Sequence, residues 1–184
     1  MTRAGGPAIL PGVSDLRAFV KTPAGRFLAR YVAILSVGFT VLALRPVNDG
    51  VVNRYTTFVA HEAKVALNAL GEGAVVRGQV LSSPRFAVSI YNGCNGLEAL
   101  LIFCSGVLAF PAPPARKVLG LLAGFLVIQV ANVVRIVSLF YVGVFRPAWF
   151  QASHVFVWQS LIILLGVVMW LFWVHRYGLA PAER

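Results

Sequence analysis

Residues 118–145, VLGLLAGFLVIQVANVVRIVSLFYVGVF, decide the fold, because Arg135 is the only charged residue among them. A helix needs about 20 apolar residues to cross the hydrocarbon core of a bilayer, so this run predicts a membrane-spanning helix. The whole chain agrees with this reading, since 59% of its 184 residues are hydrophobic and 12% are charged. Such a composition favours an integral membrane protein over a soluble domain.

Three further apolar runs predict three further spans, which together give an all-α integral membrane protein with about four transmembrane helices. Phe27–Leu44 is the first span, Leu97–Phe110 the second and Phe156–Val174 the fourth. The second run is short, and the proline-rich residues 111–114 end it. The predicted segments are a cytoplasmic basic leader (1–26), transmembrane helix 1 (27–45), an extracytoplasmic segment (46–93), a core with three transmembrane helices (94–174) and a cytoplasmic tail (175–184).

The basic residues determine the predicted orientation of these spans. The formal net charge is +10, but the arginines and lysines flank the apolar runs instead of forming one amphipathic surface. This pattern is typical of topology determinants and of contacts with anionic lipids, so we predict membrane lipids and no nucleic acid as partners. The basic leader and Arg116-Lys117 mark the cytoplasmic side, which places both termini in the cytoplasm.

Between the first two spans, Val51–Leu70 has the pattern of an amphipathic helix. Its predicted apolar face consists of Val52, Tyr55, Val59, Ala63, Ala66 and Leu70. The opposite face carries Arg54, Glu62 and Lys64, and a central charge costs about 2.5 kcal/mol or more in a spanning helix. We therefore predict an interfacial helix on the outer leaflet. If the helix spans instead, Cys94 moves to the cytoplasmic side.

The next residues predict a small extracytoplasmic β-hairpin that leads to a turn. Val75–Val80 and Arg85–Ile90 are rich in β-prone residues and are separated by Leu81–Pro84. The pairs Asn92-Gly93 and Asn95-Gly96 then form turns on either side of Cys94. Asparagine immediately before an apolar helix is also a favourable N-cap.

The predicted topology brings three polar residues from separate helices to one leaflet. Cys94 lies at the outer end of the second span, and His154 directly precedes the fourth span, which begins outside. Arg135 lies about 26 Å up a helix that starts at the cytoplasmic face near Val118. A thiol, a guanidinium and an imidazole are the components of a nucleophilic acyl-transfer site.

Each of these residue types has a defined part in such chemistry. A helix N-terminus and a neighbouring cation lower the pKa of a thiol, which predicts Cys94 as the nucleophile. His154 would take up the thiol proton, and Arg135 would donate to the oxyanion. Asn132 is a predicted supporting residue that would orient Arg135 or supply a second donor, and Asn95 supports the exposed turn.

Disulfide, metal and cofactor chemistry are not predicted. Cys94 and Cys104 are ten residues apart, about 15 Å along a helix, whereas a disulfide needs Cα atoms within about 7 Å. One cysteine and one histidine at the outer face also fall short of the three or four ligands of a zinc site. We therefore expect no metal and no cofactor.

At these residues the sequence resembles the exosortase/archaeosortase family of membrane transpeptidases. The resemblance rests on Cys94-Asn95-Gly96-Leu97 opening a membrane helix, on Asn132-Val133-Val134-Arg135-Ile136 in the next helix, and on His154 before the last. It covers roughly Tyr91–Val174. The family usually has a Cys-Ser-Gly-like run at the nucleophile, and many members have more than four spans. The short length resembles the exosortase H subgroup, which is said to act on an Ile-Pro-Thr-Leu type signal.

The resemblance implies a cysteine transpeptidase in the inner membrane of a Gram-negative type cell, with its active site on the extracytoplasmic side. Its substrates would be exported proteins with a C-terminal sorting helix. Cys94 would form a thioester that an amine-bearing acceptor or water resolves, so a hydrolytic protease remains an alternative. A non-catalytic membrane scaffold and a small transporter or channel remain alternatives from other functional classes.

Overall fold

The computed structural model of the protein describes residues 18–178; most of the predicted leader and the last six residues of the predicted tail lie outside the described residues. The helices are α1 (Pro23–Ala43), α2 (Asn53–Ala69), α3 (Leu97–Ala109), α4 (Pro114–Phe145) and α5 (Pro147–Tyr177). The strands are β1 (Val75–Arg77), β2 (Val80–Ser82) and β3 (Ala87–Ser89). Two short helical segments, Arg45–Val47 and Asn48–Val52, connect α1 to α2.

Three of the helices, α1, α4 and α5, are long and apolar enough to cross a membrane. The fourth apolar helix, α3, has 13 residues, which at 1.5 Å per residue gives about 20 Å. This is shorter than the ~30 Å hydrocarbon core of a bilayer. The predicted all-α membrane fold is confirmed, and the predicted second span is shorter than a full crossing.

The apolar helices approach one another closely at glycines. A Cβ on Gly124 of α4 would collide with the ring of Phe103 on α3, and a Cβ on Gly120 would collide with the indole of Trp173 on α5. Phe103 and Trp173 belong to the buried cluster shared by α3, α4 and α5. Small residues that admit a large partner are a common means of packing helices in membranes, where hydrophobic exclusion from water contributes little.

A second buried cluster attaches α2 and the sheet to one end of α4. Its buried members are Val59, Ala60, Ala63, Leu67, Ala74, Leu81, Ile90, Ile136 and Phe140. The segment between the first two apolar helices is therefore packed onto α4. This packing positions the chain that enters α3, where Cys94 lies.

The predicted amphipathic helix is present, but its buried face differs from the prediction. Leu67 is fully buried, whereas Leu70, which was predicted on the apolar face, is 60% exposed. Leu70 is the C-cap of α2, with φ −93° and ψ 4°, so it no longer follows the helical periodicity. Thr56 takes a buried position one residue after Tyr55, because its hydroxyl donates to the carbonyl of Val52 at 2.8 Å.

The predicted two-stranded hairpin is wrong in detail, because the sheet has three antiparallel strands in the order β1-β2-β3. Gly78, with φ +61°, turns the chain inside the run that was predicted as one strand. Leu81, predicted in the turn, lies in β2 and is fully buried. The β2-β3 register pairs Leu81 with Val88.

The last apolar helix begins earlier than predicted. Pro147 stands at its first turn, where a missing N–H costs nothing, and the helical stretch continues to Tyr177. His154 therefore lies inside the helix rather than before it, within a π-helical segment, Ser153–Trp158. Such π-segments are frequent at functional sites, because the extra residue per turn redirects a side chain.

Candidate active site

Cys94 lies in a tight turn immediately before α3. Its backbone N–H donates to the carbonyl of Tyr91 at 2.9 Å. Gly93 and Gly96, on either side, have φ of +86° and +81°, a left-handed conformation that costs an L-residue roughly 1–2 kcal/mol. The two predicted Asn-Gly turns thus present the thiol at the end of the helix instead of within it.

The thiol is in direct contact with an imidazole from another helix. Cys94 Sγ lies 2.6 Å from His154 Nε2, although the two residues are 60 positions apart in sequence. The ring of His154 is also stacked on Phe150, with 6.4 Å between centroids and 10° between planes. A nucleophile within hydrogen-bonding distance of an oriented base is the arrangement that nucleophilic catalysis requires.

Arg135 is buried beside this pair. Its side chain is 1% exposed, and its Nη2 donates to Gln159 Oε1 at 3.3 Å. Its buried Nε has no hydrogen-bond partner among the described residues. A buried guanidinium with an unused donor is energetically costly, and such groups concentrate at functional sites.

The sequence predicts that a helix N-terminus and a neighbouring cation lower the pKa of Cys94, but the surroundings of the thiol raise it. Burial raises the pKa of the Cys94 thiol above its ordinary value, the charge of Arg135 opposes this, and Glu98 raises the pKa further. The first helical N–H of α3, on Leu97, is already taken by Asn95 Oδ1 at 3.0 Å. A thiol whose pKa is raised depends on a base to become nucleophilic.

Asn132 lies directly beneath the turn that carries Cys94. A Cβ on Gly96 would come to 3.0 Å from Asn132 Cγ, and Gly96 has a φ of +81°, so glycine suits both the backbone conformation and the close approach. The Asn132 side chain is fully buried, and neither Nδ2 nor Oδ1 has a partner among the residues described. Asn132 therefore does not orient Arg135 by a hydrogen bond, contrary to one of the two predicted roles. Its amide remains available as a donor.

Asn95 fixes the turn from the other side. Its Oδ1 caps Leu97, and its Nδ2 donates to Thr56 Oγ1 on α2 at 2.9 Å. Thr56 was not predicted as a site residue. A threonine on the otherwise apolar face of an amphipathic helix was the available signal, because a buried hydroxyl needs a partner.

Three further polar contacts were also missed. Gln159 follows His154 by five residues in an apolar run, and it is the partner of Arg135.

A separate network connects α2 and α4. Tyr55, predicted on the apolar face of the helix, donates to Gln129 Oε1 at 2.5 Å, and Gln129 donates to Glu62. Burial and the charge of Glu62 raise the pKa of Tyr55 to about 12. This network joins α2 to α4. Glu62 therefore lies on the face of α2 that packs against α4.

A cavity of about 380 Å³ opens next to the thiol–imidazole pair. It is lined by Phe86, Ala87, Val88, Ser89, Ile90, Tyr91, Asn92, Cys94, Ile136, Leu139, Phe150, Gln151 and His154. Most of its wall is apolar, and the reactive groups lie within it. Concave, largely apolar cavities with a few polar groups are typical of ligand sites.

No group of three or more potential metal ligands occurs among residues 18–178. Cys94 and Cys104 are both free. The arrangement brings together a thiol, an imidazole in contact with it, and unpartnered donors on Arg135 and Asn132.

Comparison with known proteins identifies the family. The family model described as Transmembrane exosortase (Exosortase_EpsH) matches residues 16–174, a range that includes Cys94, Arg135 and His154. Comparisons with curated proteins and with solved structures found no match. The family and the apolar helices together make the chain a multi-pass membrane protein. The resemblance predicted from the sequence is confirmed, and the chain belongs to the transmembrane exosortase family.

Proposed function

We propose that this protein is a membrane-embedded cysteine peptidase and transpeptidase in which Cys94 is the nucleophile and His154 the general base. The observation that carries the proposal is the 2.6 Å contact between Cys94 Sγ and His154 Nε2. A purely structural cysteine in an apolar helix would pack as a small hydrophobic group without such a partner. The contact therefore favours the enzyme over the alternative of a non-catalytic scaffold.

The first half of the proposed reaction makes a thioester. His154 Nε2 accepts the thiol proton while Sγ attacks the carbonyl carbon of the scissile peptide bond. The carbon–nitrogen bond then breaks, and the leaving amine takes the proton back from His154. The products are a free C-terminal fragment and an acyl group on Cys94.

The second half returns the enzyme to its starting state. An acceptor amine attacks the thioester, His154 removes its proton, and the departing Cys94 sulfur regains a proton. Water in place of the amine gives hydrolysis by the same steps. The supply of acceptor at the cavity decides between the two outcomes, since both reactions share the thioester.

Two unpartnered donors are suited to the oxyanion that forms during each attack. Arg135 Nε and Asn132 Nδ2 are buried and have no hydrogen-bond partner among the described side chains and backbone. Donors that are fixed in place before the charge develops stabilise it without reorganisation. This explains why polar atoms are left unsatisfied beside a buried nucleophile.

Charge distribution supports an extracytoplasmic active site. Arg116 follows α3, and its Nη1 donates to the carbonyl of Tyr177 at 3.0 Å, next to Arg176. Arg26 and Arg30 line a cavity with Pro111 at the same end of α3. Cys94 precedes the opposite end. Basic residues favour the cytoplasmic side, which leaves Cys94 facing outward.

The substrates we propose are exported proteins that carry a C-terminal sorting helix, in the inner membrane of a bacterium. If α3 ends at the cytoplasmic boundary, its ~20 Å length leaves Cys94 below the outer boundary of a ~30 Å core. A nucleophile at that depth matches a scissile bond held close to a membrane helix. The short α3 thus fits a membrane-anchored substrate.

Processing of a coexpressed exported reporter with a C-terminal sorting signal tests the proposal. We expect cleavage by the parent, no cleavage by Cys94→Ala, and unchanged cleavage by Cys104→Ala, which removes the other free thiol. Intact-mass measurement of the enzyme should detect an acyl adduct on Cys94. Processing by Cys94→Ala at the parental rate would refute the proposed mechanism.

A further inference from the structure

The cavity beside Cys94 is bordered by a sheet edge with unused hydrogen-bonding groups. β3 is an outer strand of the sheet. Ser83 N donates to the Phe86 carbonyl and Ile90 N donates to the Gln79 carbonyl, each at 2.9 Å. Since alternate residues of an antiparallel strand face the same neighbour, the backbone N–H and C=O groups of Ala87 and Ser89 point away from β2.

The cavity runs along this free edge. Every residue from 86 to 92 lines it, although successive side chains of a strand point to opposite faces of the sheet. A cavity that touches consecutive residues must therefore lie against the backbone edge, and the other edge of β3 is covered by β2. The facing wall comes from Ile136 and Leu139 on α4 and from Phe150, Gln151 and His154 on α5.

Within the described residues, the outward groups of Ala87 and Ser89 have no hydrogen-bond partner. Exposed strand edges readily pair with another extended chain. β3 leads through the turn at Tyr91 directly to Cys94, which lies in the same cavity. A strand placed along this edge would reach the thiol at one end.

We propose that the substrate binds as an added β-strand: an extended segment next to the scissile bond pairs with the free edge of β3 through Ala87 and Ser89. This inference rests on the proposed function and states how the substrate is held. Main-chain hydrogen bonds supply the affinity, as in other cases of strand addition. The three residues of β3 span about 10 Å, so the recognised segment is short, with apolar side chains toward Ile136 and Leu139.

Peptide probes with single amide substitutions test this directly on the full chain in detergent. The probes are tetra-alanine chloromethyl ketones, each with one backbone nitrogen methylated, and iodoacetamide is the small electrophile for comparison. Mass spectrometry of the Cys94 peptide gives each labelling rate. We expect methylation at alternate positions to slow labelling roughly three- to tenfold, the effect of losing one hydrogen bond, and the intervening positions to have little effect.

A pair of proline variants provides the matched control. Ala87→Pro removes an outward N–H at the free edge of β3 without removing a β2-β3 bond, and should slow the unmethylated peptide probe at least threefold. Val76 occupies the corresponding outward position on β1, at the far edge of the sheet. Val76→Pro should leave the peptide labelling rate at the parental value.

The outcomes separate this inference from the proposed function. If iodoacetamide labels Cys94 but methylation slows the peptide probes equally at all positions, or the peptide probes do not react, strand addition is wrong and the nucleophile stands. If Cys94 reacts with neither reagent and Cys94→Ala still processes the reporter, the proposed function itself is wrong. An alternating pattern that Ala87→Pro abolishes supports both.

Discussion

Asn95 Nδ2 donates a 2.9 Å hydrogen bond to Thr56 Oγ1, and this bond links the residue after Cys94 to the buried face of α2. The same hydroxyl donates to the carbonyl of Val52, so Thr56 acts as donor and acceptor at once. The amphipathic helix thereby supports the turn that carries Cys94. In the proposed mechanism its contribution is positional, because Thr56 holds this turn through Asn95.

Removal of that hydroxyl should weaken the site. In Thr56→Val the Asn95 amide loses a buried partner, which costs about 1–3 kcal/mol. We expect a lower unfolding temperature in detergent and a processing rate reduced about tenfold. Thr57→Val is the control, since the Thr57 hydroxyl donates to the Asn53 carbonyl and does not contact Asn95. Equal rates for the two variants would contradict a positional role for Thr56.

Arg135 and Glu98 should shift the pH dependence of Cys94 alkylation in opposite directions. Burial holds the thiol pKa above its ordinary value, so labelling should increase with pH beyond the range of an exposed thiol. Arg135→Gln removes the charge that lowers the pKa and should slow labelling at pH 7. Glu98→Gln removes a charge that raises it and should accelerate labelling. Iodoacetamide kinetics from pH 6 to 10 provide the measurement, and shifts of the same sign would contradict the prediction.

Arg135→Lys separates the charge of this residue from its geometry. Lysine retains the positive charge near Cys94 but loses the planar fork and its Nε donor. We expect iodoacetamide labelling close to the parental rate and processing reduced about 10²- to 10³-fold, as when one oxyanion donor is lost. Arg77→Lys, on the exposed β1, should retain parental processing. Full activity of Arg135→Lys would assign Arg135 a structural role.

Much of the fold and the site could be predicted from the sequence, because membrane insertion simplifies both. Apolar runs identify the membrane helices, and the distribution of basic residues orients them. A polar residue inside an apolar run is then easily recognised. Cys94, Arg135 and His154 were identified in this way, and the structure places Cys94 and His154 in contact, with Arg135 close enough for its charge to act on the thiol. In the sheet, by contrast, Gly78 could be read either as a weak strand residue or as a turn.

The contacts that could not be predicted depend on distances between separate helices. The periodicity of one helix carries no information about these distances. Hydropathy marks Gln159 only as a polar residue in an apolar run, and its contact with Arg135 requires the relative rotation of α4 and α5. The π-segment that carries His154 shifts that rotation locally. Thr56 is similar, since its partner Asn95 is 39 residues away. Contacts between helices depend on how the helices pack, and one sequence pattern does not specify this.

Asn132→Leu should make the protein less active without making it less stable. The Asn132 amide is fully buried and lacks a partner among the described residues, a state that costs free energy and is retained where the group serves a function. Leucine has a similar size and removes the unpaired atoms, so the unfolding temperature should remain equal or increase. Loss of an oxyanion donor should nevertheless reduce processing by about 10²-fold.

Ser105→Ala provides the matched comparison. Ser105 is also fully buried with an unpartnered Oγ, but it lies on α3, more than two turns after the residue where the helix begins. It should show the same neutral or favourable change in unfolding temperature with parental processing. If Asn132→Leu lowers stability and activity together, Asn132 supports the turn beneath Gly96 and is not a donor. If only activity falls, the unsatisfied amide is explained by the oxyanion that it stabilises.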